Sequence, residues 1–177
     1  MKTDTVFWLL ITIAALVATG LLLGKSDGSS EVFSTADALH PLAEDCLGGH
    51  SDYVDHYHVE LVLSINNEFL EIPGDVGLND GACTMRQLHT HSTNGVIHIE
   101  LKEQGVEAPL EAFFDVWGKH FDETGFGDYR IDADHEFLMF VTTTDDDGNQ
   151  NREEVMTFQN HILEDGQKIE LVYRDKA

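Results

Sequence analysis

Apolar and polar residues alternate from His56 to Ile65, and this period of two is typical of a half-buried β-strand. Asn66-Asn67 then marks a turn, and Glu68 to Ile72 predicts a second, shorter strand. The segment is therefore expected to form a β-hairpin whose first strand has one apolar and one polar face.

A second hairpin is predicted from Met85 to Leu101. Two alternating stretches, Met85 to His91 and Val96 to Leu101, flank a short polar connection. Asn94-Gly95 in this connection offers the positive φ angles that a tight turn needs.

Farther along the chain the spacing becomes helical. Ala108 to Phe121 carries apolar residues at helical intervals, with Pro109 near its start and Gly118 near its end. Three more strands are expected over Glu136–Thr142, Glu154–Gln159 and Gln167–Tyr173.

The predicted fold class is α+β. The order of elements favours a β-grasp-like mixed sheet of two hairpins plus further strands with one packed helix, and a small β-sandwich or barrel is the alternative. One helix covers only one face of such a sheet, so the other face is open to solvent or to a ligand.

The amino terminus predicts a transmembrane helix. After a short tail, residues 1–5, the run Val6–Gly24 contains no charged residue, and at about 1.5 Å per residue it matches the roughly 30 Å of bilayer hydrocarbon. A cleaved signal peptide is the alternative. The positive-inside rule places the rest of the chain outside the cytoplasm. Residues 25–50 are expected to form a linker with a short helix near Thr35–Leu47, followed by the folded domain over 51–177.

The charge is strongly acidic, with 33 Asp and Glu against 10 Lys and Arg and a formal net charge of −23. Such a surface repels nucleic acids and anionic lipids, and it concentrates cations. No protein partner can be predicted. Cys46 and Cys83 are expected to pair as a disulfide if the domain is exported, although Cys83 could instead be a metal ligand.

Histidines gather on the polar face of the predicted sheet. Closing the second hairpin at Asn94-Gly95 sets His89 opposite His98 and His91 opposite Val96. His56 and His58 lie on the polar side of the first strand. If the two hairpins are neighbours, one sheet face collects five imidazoles: His56, His58, His89, His91 and His98.

Imidazole is a common ligand for transition metals, so this density predicts a site for copper or zinc. Any single histidine is more often an ordinary surface or core residue. Five on one face call for a specific cause. No HExxH motif, zinc-ribbon cysteine pair or Walker loop is found in the sequence.

Four segments resemble a family of exported bacterial and archaeal domains with no established activity. They are His56-Tyr57-His58, Cys83 with Leu88-His89-Thr90-His91, Gly95-Val96-Ile97-His98-Ile99-Glu100, and Phe113-Phe114-Asp115-Val116-Trp117-Gly118. The similarity extends over roughly His56 to Tyr173. It implies that the histidines belong to a shared site without implying a reaction. Ser92 departs from the family, which has an acidic residue there.

Three functions are compatible with these features. The first is a membrane-tethered, non-catalytic domain that holds or delivers copper or zinc outside the cytoplasm. The second is a metal-dependent hydrolase or oxidase with Glu100, or Glu60, as general base. The third is an interaction domain whose histidines respond to pH.

Overall fold

The polar and apolar alternation along the chain produces one large sheet in residues 38–176, the part of the chain that the computed structural model describes. The elements in chain order are α1 Pro41–Glu44, β1 Cys46–Leu47, β2 Asp55–Ile65, β3 Glu68–Leu70, β4 Leu78–Asp80, β5 Cys83–Arg86, β6 Leu88–His89, β7 Val96–Leu101, α2 Leu110–Trp117, β8 Phe121–Asp122, β9 Gly125–Phe126, β10 Tyr129–Arg130, β11 His135–Thr144, β12 Gln150–Val155, a 3₁₀ turn Phe158–Asn160 and β13 Lys168–Asp175. The architecture is α+β.

The large sheet has the strand order β12-β11-β13-β2-β7-β6, and β3 pairs with the far end of β2. The central pair, β13 and β2, is parallel, and its neighbours β11 and β7 are antiparallel to it. Within the described residues, the first and last long strands thus lie side by side at the centre. The helix α2 lies in the chain between β7 and β11.

The core forms between α2 and the apolar face of this sheet. Val59, Leu61 and Leu63 of β2 are buried, as are Phe113 and Phe114 of α2. The side chains of opposite parity in β2 and β7 lie on the other face of the sheet. The strand alternation therefore separates a hydrophobic core from a polar face that carries histidines.

The first hairpin is confirmed, although its second strand ends at Leu70 and not at the predicted Ile72. Asn66 and Asn67 both have positive φ angles, 50° and 69°, as a two-residue type I′ turn requires. Ile65 and Glu68 are paired directly across this turn.

The second hairpin differs from the prediction at its turn. The predicted strand Met85–His91 is divided between two sheets: Met85 and Arg86 belong to β5, which pairs with β1 and β4, and only Leu88 and His89 of β6 pair with β7. His91 therefore does not pair with Val96. Of Asn94 and Gly95, only Gly95 has a positive φ angle, 78°. After His89 the chain no longer pairs with β7, because Thr90 forms its hydrogen bonds with residues 73–76 instead.

The helix α2 is shorter than predicted. It ends at Trp117 because Gly118 takes the left-handed conformation, φ 72°, and the N–H of Lys119 donates to the carbonyl of Phe114. This is a Schellman-type C-terminus, which stops the helix even though apolar spacing continues to Phe121.

The sixth predicted strand is displaced. The prediction placed it over Glu154–Gln159, but β12 runs from Gln150 to Val155 and pairs with β11. Asp145 at the turn accepts hydrogen bonds from the N–H groups of Asp147 and Asn149, and the strand begins directly afterwards. Phe158 is 2% exposed and belongs to the core as part of a 3₁₀ turn.

Two small sheets flank the main one, with orders β1-β5-β4 and β10-β9-β8. In the first, a disulfide joins Cys46 of β1 to Cys83 of β5, with the two Cα atoms 5.6 Å apart. The short helix α1 immediately precedes β1, inside the segment where a helix was predicted.

The membrane anchor predicted over Val6–Gly24 lies outside the described residues. Within residues 38–176, no helix has the length and apolarity needed to cross a bilayer.

Candidate metal centre

Three adjacent strands carry a row of histidines across the polar face of the sheet. Strand pairing sets His58 of β2 opposite His98 of β7, and His98 opposite His89 of β6. Directly paired residues share one face, so the three imidazoles point to the same side. The predicted pairing of His89 with His98 is confirmed, and the two hairpins are neighbours as the cluster required.

The ring nitrogens in this row are close together. His58 Nε2 lies 2.9 Å from His98 Nδ1, and His89 Nε2 lies 3.2 Å from His91 Nε2. The ring centroids of His91 and His98 are 4.5 Å apart, and those of His56 and His58 are 4.6 Å apart. All five histidines proposed from the sequence therefore belong to one cluster.

His91 joins the cluster although it has left the strand. The hydroxyl of Thr90 donates to the carbonyl of Pro73 at 2.8 Å, and its backbone N–H donates to the carbonyl of Val76 at 3.0 Å. The N–H of Asp75 in turn donates to the Thr90 carbonyl. These bonds fix the backbone between His89 and His91, so that both imidazoles point toward His98.

A sixth histidine, His50, completes the cluster and was not predicted. It lies in the loop that leads into β2, and its Nδ1 is 2.9 Å from Oε1 of Glu100. Its ring centroid is 5.5 Å from that of His91. A signal for it was present, because the predicted disulfide at Cys46 brings this loop toward the histidine strand that follows Cys83.

Glu100 lies under this loop and is only 1% exposed. In the strand register it is opposite His56, whose Nε2 is 3.7 Å from the same Oε1. The second carboxyl oxygen, Oε2, is buried and has no hydrogen-bond partner among the described residues. A buried acceptor without a donor is destabilising by about 1–3 kcal/mol, and by more when it is charged. The site thus has an oxygen that lacks a positively charged or hydrogen-bonding partner.

The hydrogen bonding of His89 determines its tautomer. Its Nδ1 lies 3.0 Å from the backbone carbonyl of Arg86, which can only accept a hydrogen bond, so Nδ1 carries the proton. In the neutral ring Nε2 then presents its lone pair to His91. Metal-bound histidines are commonly oriented in this way, with the second nitrogen donating to a backbone carbonyl.

Burial and mutual proximity keep the central imidazoles uncharged. Burial lowers the pKa of His89 to about 3, with a smaller contribution from its histidine neighbours. Burial, followed by repulsion from His58, lowers the pKa of His98 to about 4. Both rings are neutral at neutral pH and therefore need lose no proton to bind a metal.

Residues outside the cluster have other partners. Glu60, an alternative general base, is exposed and lies 3.4 Å from Lys168. Cys83 is bonded to Cys46 and does not join the histidines. The four remaining histidines in residues 38–176 have partners outside the cluster: His40, His120, His135 and His161.

Three groups of the described residues offer ligand atoms within 4.8 Å of one another. They are His50, His89 and His91; His56, His58 and His98; and His89, His98 and Glu100. Neutral imidazole nitrogens with a carboxyl oxygen form a donor set suited to zinc or copper. Comparison of the chain with protein-family models, with curated proteins and with solved structures found no match, so the family resemblance stays an expectation.

Proposed function

We propose that this protein is a membrane-tethered domain that binds a transition metal, copper or zinc, outside the cytoplasm. The observation that carries the proposal is His89. It is fully buried, its Nδ1 proton is held by the Arg86 carbonyl, and its Nε2 faces other imidazoles. A buried ring of this kind, kept neutral and oriented, is prepared to act as a ligand.

The acidic surface and the disulfide support the location and the cargo. A net charge of −23 raises the local concentration of cations, including the metal. The Cys46–Cys83 disulfide is consistent with an oxidising compartment, where such bonds persist. The uncharged run Val6–Gly24 supplies the proposed anchor.

We also propose a β-grasp relationship for the domain. Five main strands have the order β7-β2-β13-β11-β12, and β2 and β13 are parallel. In the chain, β2 and β7 precede the helix α2, and the other three strands follow it. This arrangement supports the assignment, and in this fold the face opposite the helix is free to carry the histidines.

Elemental analysis of the full-length protein tests the metal proposal. The protein is purified in detergent without an affinity tag and dialysed at neutral pH. We expect zinc or copper at one equivalent or more per chain, removable by a chelator and restored by either ion. A variant with His89→Asn and His98→Asn should lose this metal, whereas His135→Asn, outside the cluster, should retain it. Failure of both ions to bind the wild-type protein would overturn the proposal.

A metal-dependent hydrolase or oxidase is the second candidate function. The feature that favours it is the exposure of His50, His56 and His91, which leaves a bound ion accessible to water. Glu100 lies beside these rings and could serve as general base. In that case Glu100→Gln should abolish activity while the metal is retained, and loss of the metal itself would instead indicate that Glu100 is a ligand.

A response near pH 6 does not come from His89 or His98. The pKa values of His89 and His98, about 3 and about 4, keep both rings uncharged at that pH.

A further inference from the structure

The cluster contains more ligands than one ion can use. Six histidines and Glu100 offer seven ligand groups, whereas a tetrahedral zinc ion takes four. A single ion therefore leaves at least three of these groups without a metal. Their arrangement gives a reason for the surplus.

The six histidines divide into two groups of three. His56, His58 and His98 form one, and His50, His89 and His91 form the other. None of the three ligand groups contains both His58 and His89. Each set of three histidines therefore offers three ligand atoms within 4.8 Å of one another without help from the other set, and the third group, with His89, His98 and Glu100, connects them.

Each group contains one short nitrogen–nitrogen contact, at 2.9 Å between His58 and His98 and at 3.2 Å between His89 and His91. Two imidazoles on one tetrahedral zinc ion, with bonds of about 2.0–2.1 Å, have their nitrogens about 3.3 Å apart. Both contacts are close to this separation. The same local geometry thus occurs twice within one cluster.

Glu100 lies between the two groups. Its Oε1 is 2.9 Å from a nitrogen of His50 in one group and 3.7 Å from a nitrogen of His56 in the other. A ligand atom of Glu100 also lies within 4.8 Å of His89 and His98, again one from each group. Its Oε2 has no partner in the described part of the chain. Its ion pairs in residues 38–176 are both with histidines, so no lysine or arginine neutralises it there.

We propose that the cluster is a dinuclear centre that holds two zinc or copper ions, one in each histidine group, with the Glu100 carboxylate bridging them. This proposal rests on the metal-binding function proposed above. Carboxylates bridge paired metal ions in other dinuclear sites, where the ions lie about 3.5–4 Å apart. A bridging role fits the position of Oε1 between His50 and His56, and it accounts for the burial of Glu100 without a lysine or arginine partner in residues 38–176.

Zinc titration of the full-length apoprotein, followed with a competing chromophoric chelator, tests this proposal. We expect two equivalents of zinc per chain. His56→Ala and His91→Ala should each leave one equivalent, the double variant should leave none, and His135→Ala should keep two. Glu100→Gln should weaken binding of the second ion at least tenfold, because it removes one anionic oxygen from the bridge. His56 and His91 are exposed residues, so these changes leave the core intact, and an unchanged circular dichroism spectrum verifies the fold.

The outcomes separate the two proposals. One equivalent that is lost in either single variant would overturn the dinuclear centre and leave the metal-binding function standing. No zinc or copper bound at all would overturn both. Electron paramagnetic resonance of the wild-type protein loaded with Cu²⁺ gives a test that needs no variant. Magnetic coupling between two copper ions supports the dinuclear centre, and the uncoupled spectrum of isolated copper at full loading contradicts it.

Discussion

Acid should destabilise the metal-free domain through His89, and the size of the effect follows from its burial. The folded protein holds this imidazole neutral, with its pKa lowered from an ordinary 6.5 to about 3. The unfolded chain exposes the ring and binds a proton below about pH 6.5. Between pH 6.5 and pH 3 the unfolded state binds more protons than the folded state. The free energy of unfolding therefore has its full value above pH 6.5 and decreases as the pH falls toward 3.

The size of this destabilisation depends on how far the pH falls below the pKa of histidine in the unfolded chain. Each pH unit below the unfolded pKa costs about 1.4 kcal/mol per histidine, so lowering the pH from 7 to 5 removes about 2 kcal/mol at His89. His98 titrates in the same direction, with a pKa of about 4. Since it is only half-buried, solvent screening reduces its share to about half that amount.

Urea unfolding of the metal-free protein at pH 7 and pH 5, with chelator present, measures this loss. The variant His89→Asn retains an N–H that can donate to the Arg86 carbonyl but has no titrating group. Its free energy of unfolding should fall by about 2 kcal/mol less than that of the wild-type protein over the same interval. His89→Gln should behave in the same way.

Comparison with the variants removes the largest competing effect. The net charge of −23 decreases in magnitude as carboxyl groups are protonated, which relieves repulsion in the folded state. This relief is common to wild type and variants and cancels in the difference. Equal losses of stability in the wild-type protein and both variants would refute the assignment of His89 as a buried, neutral imidazole.

Two further predictions concern the framework around the cluster. Reduction of the Cys46–Cys83 bond should lower the free energy of unfolding by about 4 kcal/mol in the chain-entropy model, because 37 residues separate the cysteines; urea midpoints that are equal with and without reductant would contradict this. Gly95→Ala should cost about 1–3 kcal/mol, since φ is +78° and an added Cβ meets the carbonyl oxygen of Leu61. Gly105→Ala has a similar φ, +79°, with no atom near the added Cβ, so its smaller loss of stability isolates the backbone contact at Gly95.

The sheet could be predicted where local pattern and tertiary structure agree. The alternation in β2 encodes which residues face the core, and Asn66-Asn67 encodes the turn that follows. The histidine row also follows from parity, because residues paired across two strands share a face. Each of these features is determined by residues that are close together in the sequence, so it can be predicted without knowledge of distant segments.

Prediction failed where a distant segment competes for the backbone. The pairing of His91 with Val96 is locally reasonable, but Thr90 forms its bonds with Pro73 and Val76. The alternation of apolar and polar residues within the hairpin gives no information about these partners. The prediction for β12 failed for a different reason, because the nearby turn held by Asp145 sets where the strand begins and Phe158 is buried in the core.

The burial of Glu100 shows what a parity argument leaves out. Parity correctly places this residue on the polar face, and a polar face is ordinarily solvated. The loop before β2 covers it, because the N–H of Val54 donates to the Leu101 carbonyl and His50 contacts the carboxyl group. Burial turns an ordinary glutamate into one that lacks a partner for Oε2. The chemistry of the site therefore depends on a loop whose only sequence signal is the cysteine that ties it to the histidine strands.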